Sequence, residues 1–132
     1  MEIITVTTHK KNELFEYAKK LGFEFDEWKF SQKGDVYFGA YKRRSFEVNG
    51  AEYHIQYMLH TCRHTKGKHI MSMTTTIYNK SGLIGRMEAV MPISSEQDID
   101  NVLKEEENLI AFAKKVGIVW KKYNLFAYIL YI

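Results

Sequence analysis

The stretch VYFGAYKRRSFEVNGAEYHIQYMLH, residues 36 to 60, decides the fold. At its centre stands Asn49-Gly50, the pair that most readily supplies the positive φ needed at both middle positions of a type I′ turn. On either side apolar and polar residues alternate, the period of a half-buried strand. The turn sets a register: Val48 opposite Ala51, Phe46 opposite Tyr53, Ser45 opposite His54, Arg44 opposite Ile55, Arg43 opposite Gln56, Lys42 opposite Tyr57, Tyr41 opposite Met58 and Gly39 opposite His60. A β-bulge near Arg43 would exchange the faces of everything before it, so the turn fixes the register only as far as Phe46. The more apolar face of this hairpin carries two cations, Lys42 and Arg44.

Turn residues recur outward from the hairpin, at Lys66-Gly67-Lys68 and Asn79-Lys80-Ser81-Gly82, and predict a four-stranded antiparallel meander over residues 35–91. Before it, EIITVT reads as a short strand. HKKNELFEYAKKLG places Leu14, Tyr17, Ala18 and Leu21 at helical spacing and predicts a helix over about residues 9–21, starting at Thr7 or Thr8 and stopping at Gly22. After Pro92, Ser94 with Gln97 forms a capping box for a single long helix over residues 95–116, with acids at 96, 98 and 100 and Lys114 and Lys115 at its two ends. The ending IVWKKYNLFAYILYI is rich in β-branched and aromatic residues and reads as one or two strands. Its apolar character on both faces predicts a central strand or cover by a second subunit, hence a homo-oligomer. The expected fold is one α+β domain, residues 1–132, with an antiparallel sheet of five to seven strands and both helices on one face.

Composition narrows the function. With 132 residues, 45% hydrophobic and 14% aromatic, the chain has enough apolar content for a core, which excludes a disordered tail. A single cysteine cannot close an internal disulfide, and MEIITVTTHKK lacks the basic start and apolar block of an export signal, so the expected location is cytoplasmic. The longest apolar run, LFAYILYI, is far short of the roughly 20 residues that cross a bilayer.

Charge is unevenly spread: residues 36–95 carry a net +5 and residues 96–108 a net −5. A basic sheet in which tyrosines interleave with cations attracts phosphates while its rings stack on bases, the arrangement of a nucleic-acid or nucleotide binder. The candidate ligand-binding residues are Tyr41, Lys42, Arg43, Arg44, His54, Tyr57, His60, Arg63, Arg86 and Glu106. Glu106 enters because helical stepping puts its carboxylate inside the apolar stripe of the long helix, where it must meet a cation such as Arg86 or Arg43, bind a polar ligand, or overhang the sheet.

Four of the five histidines and the cysteine lie in HIQYMLHTCRHTKGKH, residues 54 to 69. A four-residue loop at 64–67 would set Cys62 opposite His69, His60 opposite Met71 and Met58 opposite Met73, a patch of soft donors. The spacing matches no standard metal motif, and neither a metal nor another cofactor is assigned. The phosphate-binding, dinucleotide, metalloprotease and nucleophile-elbow motifs are all missing, which leans against an enzyme. The expected function is a small binding protein that takes an anionic partner, nucleic acid or nucleotide-like ligand, on the sheet face. The alternatives are a compact protein-interaction module or inhibitor of the kind encoded by mobile elements or phages, presenting the acidic helix as a polyanion mimic, and a small hydrolase or metal site on the histidine cluster.

Overall fold

A computed structural model describes residues 3–29, 36–48, 50–79, 86–116 and 122–124. Its centre is the predicted hairpin. Strand β3 (Val36–Val48) pairs with β4 (Ala51–Thr65), and the register set by Asn49-Gly50 holds from Val48↔Ala51 through to Gly39↔His60 with no bulge near Arg43. Strand β5 (Lys68–Asn79) follows β4, and β6 (Arg86–Pro92) follows β5, which completes the expected meander. Strand β2 (Glu24–Lys29) adds to the outer side of β3, and β7 (Lys122–Asn124) runs parallel to β6. The short β1 (Val6–Thr7) pairs with the first residues of β5, past the point where β6 ends. The described strands thus form one sheet in the order β2-β3-β4-β5-β6-β7, with β1 beside β5.

The connection between β4 and β5 differs from the four-residue loop expected. Gly67, at φ 76°, lets the chain reverse over Lys66-Gly67, and an irregularity between Arg63 and Thr65 takes up the odd residue. Cys62 therefore faces Ile70, His60 faces Ser72, and Met58 faces Thr74. A one-residue slip moves a side chain to the other face. Met71 and Met73 accordingly lie buried in the core while His60 and Cys62 remain on the opposite side, and the soft-donor patch does not form.

Helix α1 (Thr8–Lys20) has the predicted ends: the Thr7 hydroxyl accepts from the Lys10 N–H, and Gly22 adopts φ 95° just past the last turn. It buries Leu14, Phe15 and Ala18 against the sheet. The second predicted helix is bent into α2 (Glu96–Leu103) and α3 (Glu106–Val116). At the bend the Glu105 N–H bonds three residues back to Val102, and the helical ladder resumes with Leu109 N–H to Glu105. The cap lies one residue later than predicted: Ser95 is the N-cap and Asp98, not Gln97, completes the box. Ile99, Val102, Leu109, Ile110 and Ala113 are buried. Together with α1 they join Ile55, Leu59, Met73, Ile77 and Ala89 in one core, so the helices share a single face of the sheet. Each large apolar side chain in it contributes on the order of 2 kcal/mol. No described helix is long and apolar enough to cross a membrane. The apolar ending, residues 125–132, lies outside the described residues.

Candidate functional site

Three consecutive cations of β3 meet three different fates, because alternation sends their side chains to opposite faces. Lys42 points to the covered face, where its Nζ donates to the Leu21 carbonyl at 2.9 Å, at the end of α1 where a cation complements the helix dipole. Arg44 also points there. Its Nη1 donates to Glu106 Oε2 at 2.8 Å and to Glu107 Oε1 at 2.5 Å. Glu106 Oε1 accepts a third bond, 3.0 Å from the Tyr57 hydroxyl, and Tyr57 is almost fully buried. Burial, and secondarily the Glu106 charge, pushes the Tyr57 phenol above its ordinary range, while the two carboxylates hold the Arg44 guanidinium charged. Glu106 thus meets a cation, as its position required, but the cation is Arg44 rather than Arg86 or Arg43. The bend at residues 104–105 places Glu106 and Glu107 together over Arg44.

The other face of the sheet has no helix across it among the described residues. Tyr41, Arg43, Ser45, His54, Gln56, Met58 and His60 from β3 and β4, and Ser72, Thr74, Thr76 and Tyr78 from β5, share it by register. These side chains hold one another. Arg43 Nη1 donates to the Tyr78 hydroxyl at 3.5 Å, and that hydroxyl donates to Gln56 Oε1 at 3.2 Å. Ser45 Oγ lies 3.0 Å from His54 Nδ1, and the His54 and Tyr78 rings lean together with centroids 5.3 Å apart. His60 Nε2 lies 2.9 Å from Thr74 Oγ1, and its partial burial depresses its pKa, which keeps the ring neutral. Val90 of β6 adds an apolar side chain that is 47% exposed.

Of the predicted site residues, the structure brings Tyr41, Arg43, His54 and His60 to this open face and consigns Lys42, Arg44, Tyr57 and Glu106 to the covered one. The side chains of Arg63 and Arg86 lie outside the described residues. The three consecutive cations Lys42, Arg43 and Arg44 therefore do not converge. Arg43 forms no ion pair among the described residues, but Glu24, Glu47, Glu52 and Glu88 share its face, with Glu24 accepting from the Tyr41 hydroxyl at 2.7 Å. Gln56, Thr74 and Tyr78 complete the hydrogen-bonded row and were missed by a search for charge. Parity was the signal for Gln56, two residues from His54, whereas Thr74 and Tyr78 depended on the β4–β5 register, which the expected loop placed one residue off.

Five of the six acids between residues 96 and 107 are likewise occupied within the chain. Asp98 serves the cap, Asp100 accepts from the Tyr17 hydroxyl at 2.6 Å, Glu105 accepts from Asn108 at 3.1 Å, and Glu106 and Glu107 hold Arg44. Among the described residues no group of three or more His, Cys, Asp or Glu side chains is arranged to hold a metal ion. Comparisons of the chain with protein-family models, curated proteins and solved structures found no match.

Proposed function

We propose that this chain is a small non-enzymatic binding protein that docks a partner protein on the open face of its sheet. One observation carries the reading: a face with no helix over it among the described residues displays Met58 beside tyrosine, histidine, arginine and glutamine side chains ordered by mutual hydrogen bonds before any partner arrives. Tyr, Met and Arg are the side chains enriched where proteins meet, and side chains already held in place lose less entropy on binding. Among the described side chains the face carries one guanidinium, Arg43, with four carboxylates, a mixed charge that suits a protein surface better than a polyanion, which requires several cations along its track. A polyanion-mimic role for the acidic helix has less support, because most of its carboxylates are committed to the chain's own cap, tyrosine and arginine.

The test is site-specific photocrosslinking in the cells that make the protein. A crosslinker at Val90 or Thr76 on the open face is expected to trap one discrete protein, insensitive to nuclease, while the same group at Lys19 on the far side of α1 traps none. Gln56→Arg should abolish the adduct. Equal labelling from both sides would overturn the reading, and capture of nucleic acid, released by nuclease and lost in Arg43→Glu, would replace it with an anion-binding one.

A further inference from the structure

Strand β2 covers the outer side of β3 only up to the pair Glu24↔Tyr41. From Lys42 to Val48 β3 has β4 on one side and, among the described residues, no strand on the other. The two-residue turn makes Val48 and Ala51 a hydrogen-bonded pair, so the even-numbered residues of this segment bond to β4. Arg43, Ser45 and Glu47 therefore aim their backbone N–H and C=O outward. Such an edge recruits another strand unless its side chains forbid it.

We propose that the occupant of this edge is a second copy of the same chain, paired antiparallel about a two-fold axis at Ser45. An axis perpendicular to the sheet keeps each face on its own side, so only residues of equal parity can stand opposite each other. Charge then selects the register. Centring on Arg44 sets that guanidinium against its own copy, and centring on Glu47 does the same to a carboxylate. Centring on Phe46 faces Ser45 with Glu47 and gains no opposite pair. Centring on Ser45 places Arg43 opposite Glu47 of the second copy, twice by symmetry, and lets the outward groups of Arg43, Ser45 and Glu47 form a hydrogen-bonded ladder. Neither Arg43 nor Glu47 has an ion-pair partner among the described residues that would compete. The corner where β2 ends, bounded by Gly22, Glu24, Tyr41, Lys42 and Arg43, is an open recess of about 350 Å³ beside this edge. The two sheets become one, with both open faces on the same side. A short ladder and two solvent-exposed ion pairs give a weak, concentration-dependent dimer.

Sedimentation equilibrium over a concentration series of the full chain tests this. The mass is expected to rise from monomer toward dimer. Arg43→Glu and Glu47→Arg should each weaken association roughly tenfold or more by opposing like charges, and the double variant, which restores complementarity in exchanged positions, should recover it. Ser45→Pro removes an N–H that the internal ladder does not use and should abolish the dimer while the circular dichroism of the fold persists. A wild-type mass that stays monomeric throughout overturns the proposal. So does a dimer indifferent to Ser45→Pro, or one that the charge exchange fails to restore.

Discussion

A single side chain in this molecule is read by its parity before its chemistry. Lys42, Arg43 and Arg44 are adjacent and alike, yet one holds the end of α1, one lies on the open face and one clamps α3. The hairpin register was legible in the sequence from the turn as far as Phe46, and the structure, with no bulge near Arg43, extends it to Gly39 and His60. The partner of Glu106 was not, because it depends on how a helix far along the chain is placed over the sheet. His60 offers a test at the same scale. Its partial burial lowers the folded-state pKa below the ordinary 6.5, so the neutral ring is the one the fold accommodates. The stability this confers is complete above the unfolded value and lost as pH falls through the folded one. Urea midpoints measured between about pH 7 and pH 5 should decline more steeply in the wild type than in His60→Gln, which retains a hydrogen-bonding amide for Thr74. Parallel declines would show that His60 is not the titrating group.

At the level of elements, the strands were easier to foresee than the joints between them. Asn-Gly at 49–50 leaves little choice of turn, whereas Lys66-Gly67 allows a tight reversal once an irregularity at Arg63/Thr65 absorbs one residue, and that single residue dissolved the predicted sulfur and imidazole patch. The start of α2 failed in the same way, by one position. Ser94-Gln97 and Ser95-Asp98 are both capping-box spacings, and the ionised pair wins. The Asp98 carboxylate accepts from the Ser94 N–H, the Ser94 hydroxyl and the Ser95 N–H, at the positive end of the helix dipole, while Gln97 turns to Asn101. The two serines are thereby separable. Ser95→Ala removes the N-cap acceptor and should cost about 1 kcal/mol, whereas Ser94→Ala deletes only one of three donors to Asp98 and should cost less than half of that. Chemical denaturation of the two variants, compared at equal slope, checks the order, and a larger loss in Ser94→Ala would return the cap to the position first read from the sequence.

For the molecule as a whole, the net +5 of residues 36–95 suggested a basic surface, and the sheet instead divides its three consecutive cations, Lys42, Arg43 and Arg44, between its two faces. Segment charge counts residues along the chain, but potential depends on which face they share and which acids stand beside them. Arg44 shows the consequence, since the −5 segment brings Glu106 and Glu107 onto it and two opposite blocks of sequence charge cancel at one contact between helix and sheet. That contact joins α3 to β3, the helix layer to the strand whose outer edge carries no partner strand from Lys42 to Val48 among the described residues. Reversing Arg44 to Glu places a third carboxylate beside Glu106 and Glu107, under which the Tyr57 hydroxyl remains buried. Thermal unfolding at a concentration low enough for monomer should show Arg44→Glu melting lower, by on the order of 5 °C, because like charges then oppose the seating of α3. Arg43→Glu, one residue away with the same change in net charge, should melt within about 1 °C of the wild type, since its only described bond is the long one to Tyr78. Equal losses in the two variants would mean that net charge rather than the face governs stability, and the division of cations between the two sides of the sheet would then have no energetic consequence.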